Sequence, residues 1–147
     1  MRKVLLVIED YNEMVGLESF LRRLSFDVLA VGKEVLVNDA LLGFHPDIVI
    51  ATARGRHVDG AKLAIRLKRL QPMPRIALTC SGTKAILAPE TEKAVDALIE
   101  IPIYPLSAIP ILASLAGIDP LPLLEKFKKL GTARVKGMFD VYNVFND

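Results

Sequence analysis

Short apolar runs alternate along the chain with segments of helical periodicity. Val4 to Ile8 is a continuous aliphatic run, the mark of a strand covered on both faces. Met14, Leu17, Leu21 and Leu24 follow at helical spacing with Phe20 beside them, and Arg22 and Arg23 fall on the wet side. Phe26 to Val31 predicts a second strand, closed by Gly32. Glu34 to Gly43 predicts a helix with Val35, Leu36 and Leu41 inward, ended before Pro46. Ile48 to Ala51 predicts a third strand. A helix from about Gly60 sets Leu63, Ala64, Leu67 and Leu70 on one face and Lys62, Arg66 and Arg69 on another. Arg75 to Thr79 reads as a fourth strand, Thr83 to Lys93 as a weak helical region interrupted by Pro89, Ala97 to Ile101 as a fifth strand and Leu106 to Ala116 as a fifth helix.

Strands and helices alternating through short connections specify a doubly wound α/β fold, a five-stranded parallel sheet with helices on both faces. The functional crevice of such a sheet lies at the carboxyl ends of its strands, where the strand order reverses. This directs attention to Glu9-Asp10, Thr52 to Gly60, Thr79 to Thr83 and Ile101-Pro102.

From Asp119 the character changes. Asp119-Pro120 is a helix-start signal, an N-cap residue followed by proline at the first helical position, and Leu121, Leu124 and Phe127 form an apolar stripe up to Gly131. Lys126, Lys128, Lys129, Arg134 and Lys136 make the stretch basic. Met138, Val141, Tyr142 and Phe145 fit helical spacing, while Phe139, Val141 and Asn143 also fit a strand. The chain therefore divides into residues 1–118 and a C-terminal extension, 119–147, that packs on the first unit or on a partner.

Composition narrows the function classes. At 147 residues, 52% hydrophobic and 24% charged, the chain can bury a core and is not a disordered segment. A net charge of +2 is too balanced for a protein whose main business is coating nucleic acid. One cysteine, Cys80, allows no internal disulfide and fits a reducing cytoplasm, the expected location. The longest uncharged stretch, Ile101 to Ile118, carries Pro102, Pro105 and Pro110 and reads as buried, not membrane-spanning. Its helix has no charged residue, so its outward face needs cover from another chain or from the extension folding back.

The order and spacing of several motifs resemble the receiver domains of two-component response regulators, with a flavodoxin-like fold. The resemblance covers residues 2 to about 117. It rests on Glu9-Asp10 ending strand one, Pro46-Asp47-Ile48-Val49-Ile50 opening strand three, Val58-Asp59-Gly60, Thr79 ending strand four, and a proline in Ile101-Pro102-Ile103. The spacings agree too, with 42 residues from Asp10 to Thr52 and 22 from Thr79 to Ile101. The resemblance implies a Mg²⁺ site on the acidic pair and a third carboxylate that accepts phosphoryl. It also implies a strand-four hydroxyl and a lysine that contact the transferred group.

Two decisive positions depart from that pattern: Thr52 stands where the acceptor aspartate belongs, and Ile101 replaces the lysine. A threonine hydroxyl is no substitute nucleophile without a base, and the lost carboxylate leaves Glu9 and Asp10 as an incomplete Mg²⁺ ligand set. The loop Ala53-Arg54-Gly55-Arg56-His57 is also unusual. Arg54 or Arg56 is expected to fold onto Glu9-Asp10 and replace the metal with a guanidinium, the alternative being two solvated loop arginines. Asp59 reads as a helix N-cap.

The resulting expectation is a pseudo-receiver, not an enzyme, with no catalytic residue and no cofactor. It acts in signal transduction by phosphorylation-independent contact with a protein partner or a second copy. Its interface is expected on Ile109, Leu112, Leu115, Leu121, Leu124 and Phe127, without membrane or nucleic acid. Two alternatives stand beside it: a rearranged Mg²⁺/phosphoryl site on Glu9, Asp10 and Thr79, and a nucleic-acid-associated regulator using the basic tail.

Overall fold

The structure, a computed structural model, describes residues 2–81 and 87–137. Five strands form one wholly parallel sheet in the order β2-β1-β3-β4-β5: β1 (Lys3–Val7), β2 (Asp27–Val31), β3 (Ile48–Thr52), β4 (Arg75–Ser81) and β5 (Ala97–Ile101). Among the described residues six α-helices accompany them: α1 (Tyr11–Arg23), α2 (Val37–Phe44), α3 (Gly60–Leu67), α4 (Pro89–Ala94), α5 (Pro105–Ala116) and α6 (Pro120–Gly137). This is the doubly wound, flavodoxin-like fold that the alternation of elements predicts. No helix among the described residues is long and apolar enough to cross a membrane.

The continuous apolar run of β1 is explained by burial on both faces. Val4, Leu6 and Ile8 face a core shared with α1, α5 and α6, whereas Leu5 and Val7 face a second core shared with α2, α3 and α4. Each large aliphatic side chain buried this fully contributes about 1.5–3 kcal/mol, so the central strands anchor the domain. Local signals then set the helix starts. Asp10 Oδ1 accepts the Glu13 N–H at 3.0 Å, Asp59 Oδ1 the Lys62 N–H at 3.1 Å, and Asp119 Oδ1 the Leu121 N–H at 3.0 Å. Gly117, at φ 68°, ends α5 in the left-handed region.

Three local expectations are corrected. Glu34–Leu36 is a separate 3₁₀ turn ahead of α2, so Val35 and Leu36 point to solvent; its tighter pitch rotates the inward stripe out of phase. Leu70 lies past the end of α3 and is exposed. Pro89 does not interrupt a helix but starts α4, where its missing N–H costs nothing.

The described start of the extension packs against its own chain. Leu123 is buried, and Leu124 and Phe127 pack against the core formed with α1 and α5. The Phe127 ring meets Phe20 of α1 edge-on, with centroids 6.3 Å apart, and Lys126 Nζ donates to Ser25 Oγ just beyond α1. Leu121 stays 60% exposed. Ile109, Leu112 and Leu115, expected at an interface, face inward and are almost fully buried. The outward side of α5 instead presents Leu106, Ser107, Pro110 and Ser114. Expectations for residues 138–147 lie outside the described residues.

Candidate functional site

The sheet register brings the predicted crevice together. Thr52 at the end of β3 is the Cα partner of Thr79 in β4, and Ser81 at the end of β4 is partnered with Ile101 at the end of β5. A cavity of about 280 Å³ opens over these strand ends, lined by Thr52, Thr79, Ser81, Ile101, Arg54 and Glu13 among others. Its walls thus carry hydroxyls, one guanidinium and one carboxylate. That carboxylate belongs to Glu13 and not to the acidic pair.

Asp10 and Glu9 have other engagements. The Asp10 carboxylate caps α1. The Glu9 carboxylate is held by the loop after β3. Arg56 N–H donates to Oε2 at 3.0 Å, Val58 N–H to Oε1 at 3.0 Å, and His57 N–H also donates to Oε1. The N–H of His57 foremost, then that of Arg56, hold the Glu9 carboxyl below the usual carboxylate range. Desolvation opposes them, and Val58 N–H and the charge of His57 add to the lowering. The Glu9 N–H in turn donates to Thr52 Oγ1 at 3.0 Å. Thr52 therefore ties β3 to the end of β1.

The expected guanidinium contact is corrected by this geometry. Among the described residues, neither Arg54 nor Arg56 pairs with Glu9 or Asp10. The loop does fold onto Glu9, but it delivers backbone N–H groups. Three successive amides can converge on one carboxylate without the entropy cost of ordering a long side chain.

Gly55 makes that approach possible. A Cβ there would lie 2.5 Å from Glu9 Oε1 and 2.7 Å from its Cδ. Gly60 is tighter against backbone: a Cβ would lie 2.3 Å from the Thr52 carbonyl oxygen and 2.8 Å from Leu78 Cδ2. Sequence reasoning did not single out Gly55 or Glu13. The signal for Gly55 was a glycine within an otherwise bulky loop facing a carboxylate at a strand end. The signal for Glu13 was its place in the first turn of α1, above the carboxyl edge. Burial, then the neighbouring Asp10 charge, push the Glu13 carboxyl up.

The donor set does not fit Mg²⁺. Octahedral coordination by hard oxygens needs free carboxylates, yet Glu9 is filled by amides, Asp10 caps a helix, and the third position is Thr52. Among the described residues no three His, Cys, Asp or Glu side chains cluster to hold a metal. The Ile101–Pro102 peptide is cis, and Ile101, half-buried, offers an aliphatic wall to the cavity. Thr79 is buried and Cys80 half-buried, with Sγ 3.9 Å from the Ile99 carbonyl. Gly82 and Thr83 lie outside the described residues.

No family model and no curated protein matches the sequence. Solved structures do match the fold. A response regulator receiver domain from Methylobacillus flagellatus is 24% identical, with a TM-score of 0.67, covering 78% of this chain and 98% of that one. A signal receiver domain from Bermanella marisrubri gives 18% and 0.68 over 78% and 98%. A response regulator receiver protein from Burkholderia phymatum gives 17% and 0.69 over 81% and 98%. The fold is that of receiver domains.

Proposed function

We propose that this chain is a receiver-like signalling module that acts by contact with a protein partner and whose state is not set by aspartyl phosphorylation. The observation that carries the reading is the Glu9 carboxylate, occupied by the backbone of residues 56–58 while Thr52 stands at the acceptor position. A pocket built this way is neutralised internally, without metal, and holds the loop in one arrangement. The module has no catalytic residue and needs no cofactor. A rearranged Mg²⁺/phosphoryl site on Glu9, Asp10 and Thr79 is the weaker reading, because both carboxylates already have backbone partners.

The partner surface that fits best is the edge formed by β5 and α5. There a groove of about 380 Å³ runs between Leu98, Tyr104, Ser107 and Ile111, with Tyr104 and Leu106 exposed beside it. β5 is an edge strand, and apolar side chains over an open strand edge suit a protein ligand.

Incubation with Mg²⁺ and a small acyl phosphate, read by intact mass, tests the reading. The expected result is an unchanged mass. A stoichiometric, base-labile phosphoryl adduct would overturn it.

A further inference from the structure

The near-neutral total charge conceals a segregation. Residues 54–75 carry seven of the 19 Lys and Arg and one of the 17 Asp and Glu, a net +6 within a chain of +2. The fold lays this segment along one side of the molecule, from the loop after β3 through α3 to the turn before β4. Lys62, Arg66 and Arg69 follow at i, i+4 and i+7 and are exposed, while Leu63, Ala64 and Leu67 turn inward. Seven residues of helical rise spread these three cations over about 10 Å.

Both ends of the stripe are extended by fixed backbone. The amides that hold Glu9 place Arg54 and Arg56 beside the first turn of α3, where Ala61 N–H donates to the Ala53 carbonyl at 3.4 Å. At the other end Lys68 Nζ donates to the Lys93 carbonyl at 3.2 Å, which brings α4 alongside. Within the chain Asp96 pairs with Arg75 at 3.6 Å and so neutralises one of the seven cations. Asp59 is committed to capping α3, and Glu90 of α4 borders the depression formed with Ile65, Lys68 and Arg69. Among the described residues, Arg54, Arg56, Lys62, Arg66 and Arg69 have no carboxylate partner.

Five unpaired cations, Arg54 at the wall of the strand-end cavity, Arg56 in the same loop and three more along α3 and the turn after it, repel one another, and relief must come from an external anion. A protein partner needs apolar or aromatic anchors at the centre of its interface. From Arg54 to Arg69 no large apolar side chain is exposed; Leu70 and Met73 lie beyond the end of the helix. Arginine supplies four of the five cations, and its planar fork suits phosphate oxygens. We propose that the α3 stripe, with Arg54 and Arg56, binds the phosphodiester backbone of a nucleic acid by charge, without reading sequence.

Fluorescence anisotropy of a labelled mixed-sequence DNA duplex with the full chain tests this, independently of the phosphorylation assay. Five phosphate contacts give a slope of log affinity against log salt of about −4.5, a several-hundred-fold loss between about 50 and 200 mM salt. Arg66→Glu with Arg69→Glu, the first exposed on α3 and the second exposed in the turn just after it, should flatten the slope by about 2. Lys128→Glu with Lys129→Glu, the same charge change on α6, should leave it unchanged. Circular dichroism confirms that both variants fold. No binding at the lowest salt would overturn the proposal. So would equal weakening by both double variants, or capture of anionic phospholipid vesicles through Arg66 and Arg69 with no capture of the duplex.

Discussion

The Val58 N–H donates to Glu9 Oε1 at 3.0 Å, across 49 residues of sequence. This bond, with those from Arg56 and His57, turns a strand-end carboxylate into a structural pin for the loop that leads into α3. On the proposed reading, the same bonds leave Glu9 unavailable as a metal ligand.

The two loop glycines should respond differently to alanine. At Gly55 the added methyl meets only the far end of the Glu9 side chain, which can swing away. Gly55→Ala should therefore release the loop, seen as lost hydrogen-exchange protection at the His57 and Val58 amides, with the sheet amides unchanged. Gly60→Ala drives a methyl into the Thr52 carbonyl and should lower global stability by about 1–3 kcal/mol in denaturant titration. Gly16→Ala, inside α1 with nothing within 4 Å, should raise it by about 0.5–1 kcal/mol.

Glu9 and Glu13 should leave opposite marks on stability against pH. The lowered Glu9 carboxyl stabilises the fold above the ordinary carboxylate range, and that contribution disappears as pH falls through its folded value. Glu9→Gln should thus be less stable than the parent at neutral pH, the gap closing in acid. Glu13 is raised by burial and by Asp10, so its contribution is present in acid and is lost as pH rises through its folded value. Glu13→Gln should be more stable than the parent at neutral pH and equal to it in acid. Thermal melts across the acid range measure both.

Leu123 and Leu121 are two residues apart on α6 but differ in burial, 2% against 60% exposed. Leu123→Ala should cost about 2–4 kcal/mol and Leu121→Ala less than about 0.5 kcal/mol. Comparable costs would mean that the first turns of α6 do not dock on α5 and α1 as described.

Much of this architecture is legible in the residues. The period-free aliphatic runs of β1 and β3 report burial on both faces, and Asp59 and Asp119 announce two helix starts, whereas the capping of α1 by Asp10 emerges only in the structure. The motif order also marks Thr52 and Ile101, which the fold brings to the wall of the strand-end cavity. Other features depend on geometry that sequence does not carry. Whether Arg56 meets Glu9 through its side chain or its amide is decided by the loop conformation that Gly55 permits. The outward face of α5 is inverted relative to expectation because a helix without charges gives no polar stripe to orient it. The 3₁₀ turn at Glu34–Leu36 escapes a period-3.6 reading because its tighter pitch has a different period.

The central claim, that the Glu9 pocket is already neutralised by its own backbone, is tested most directly by a Mg²⁺ titration followed by amide chemical shifts. The account predicts that the amides of Glu9, Asp10, Thr52 and residues 56–58 do not move as Mg²⁺ rises into the millimolar range. Saturable shifts confined to those amides would contradict it.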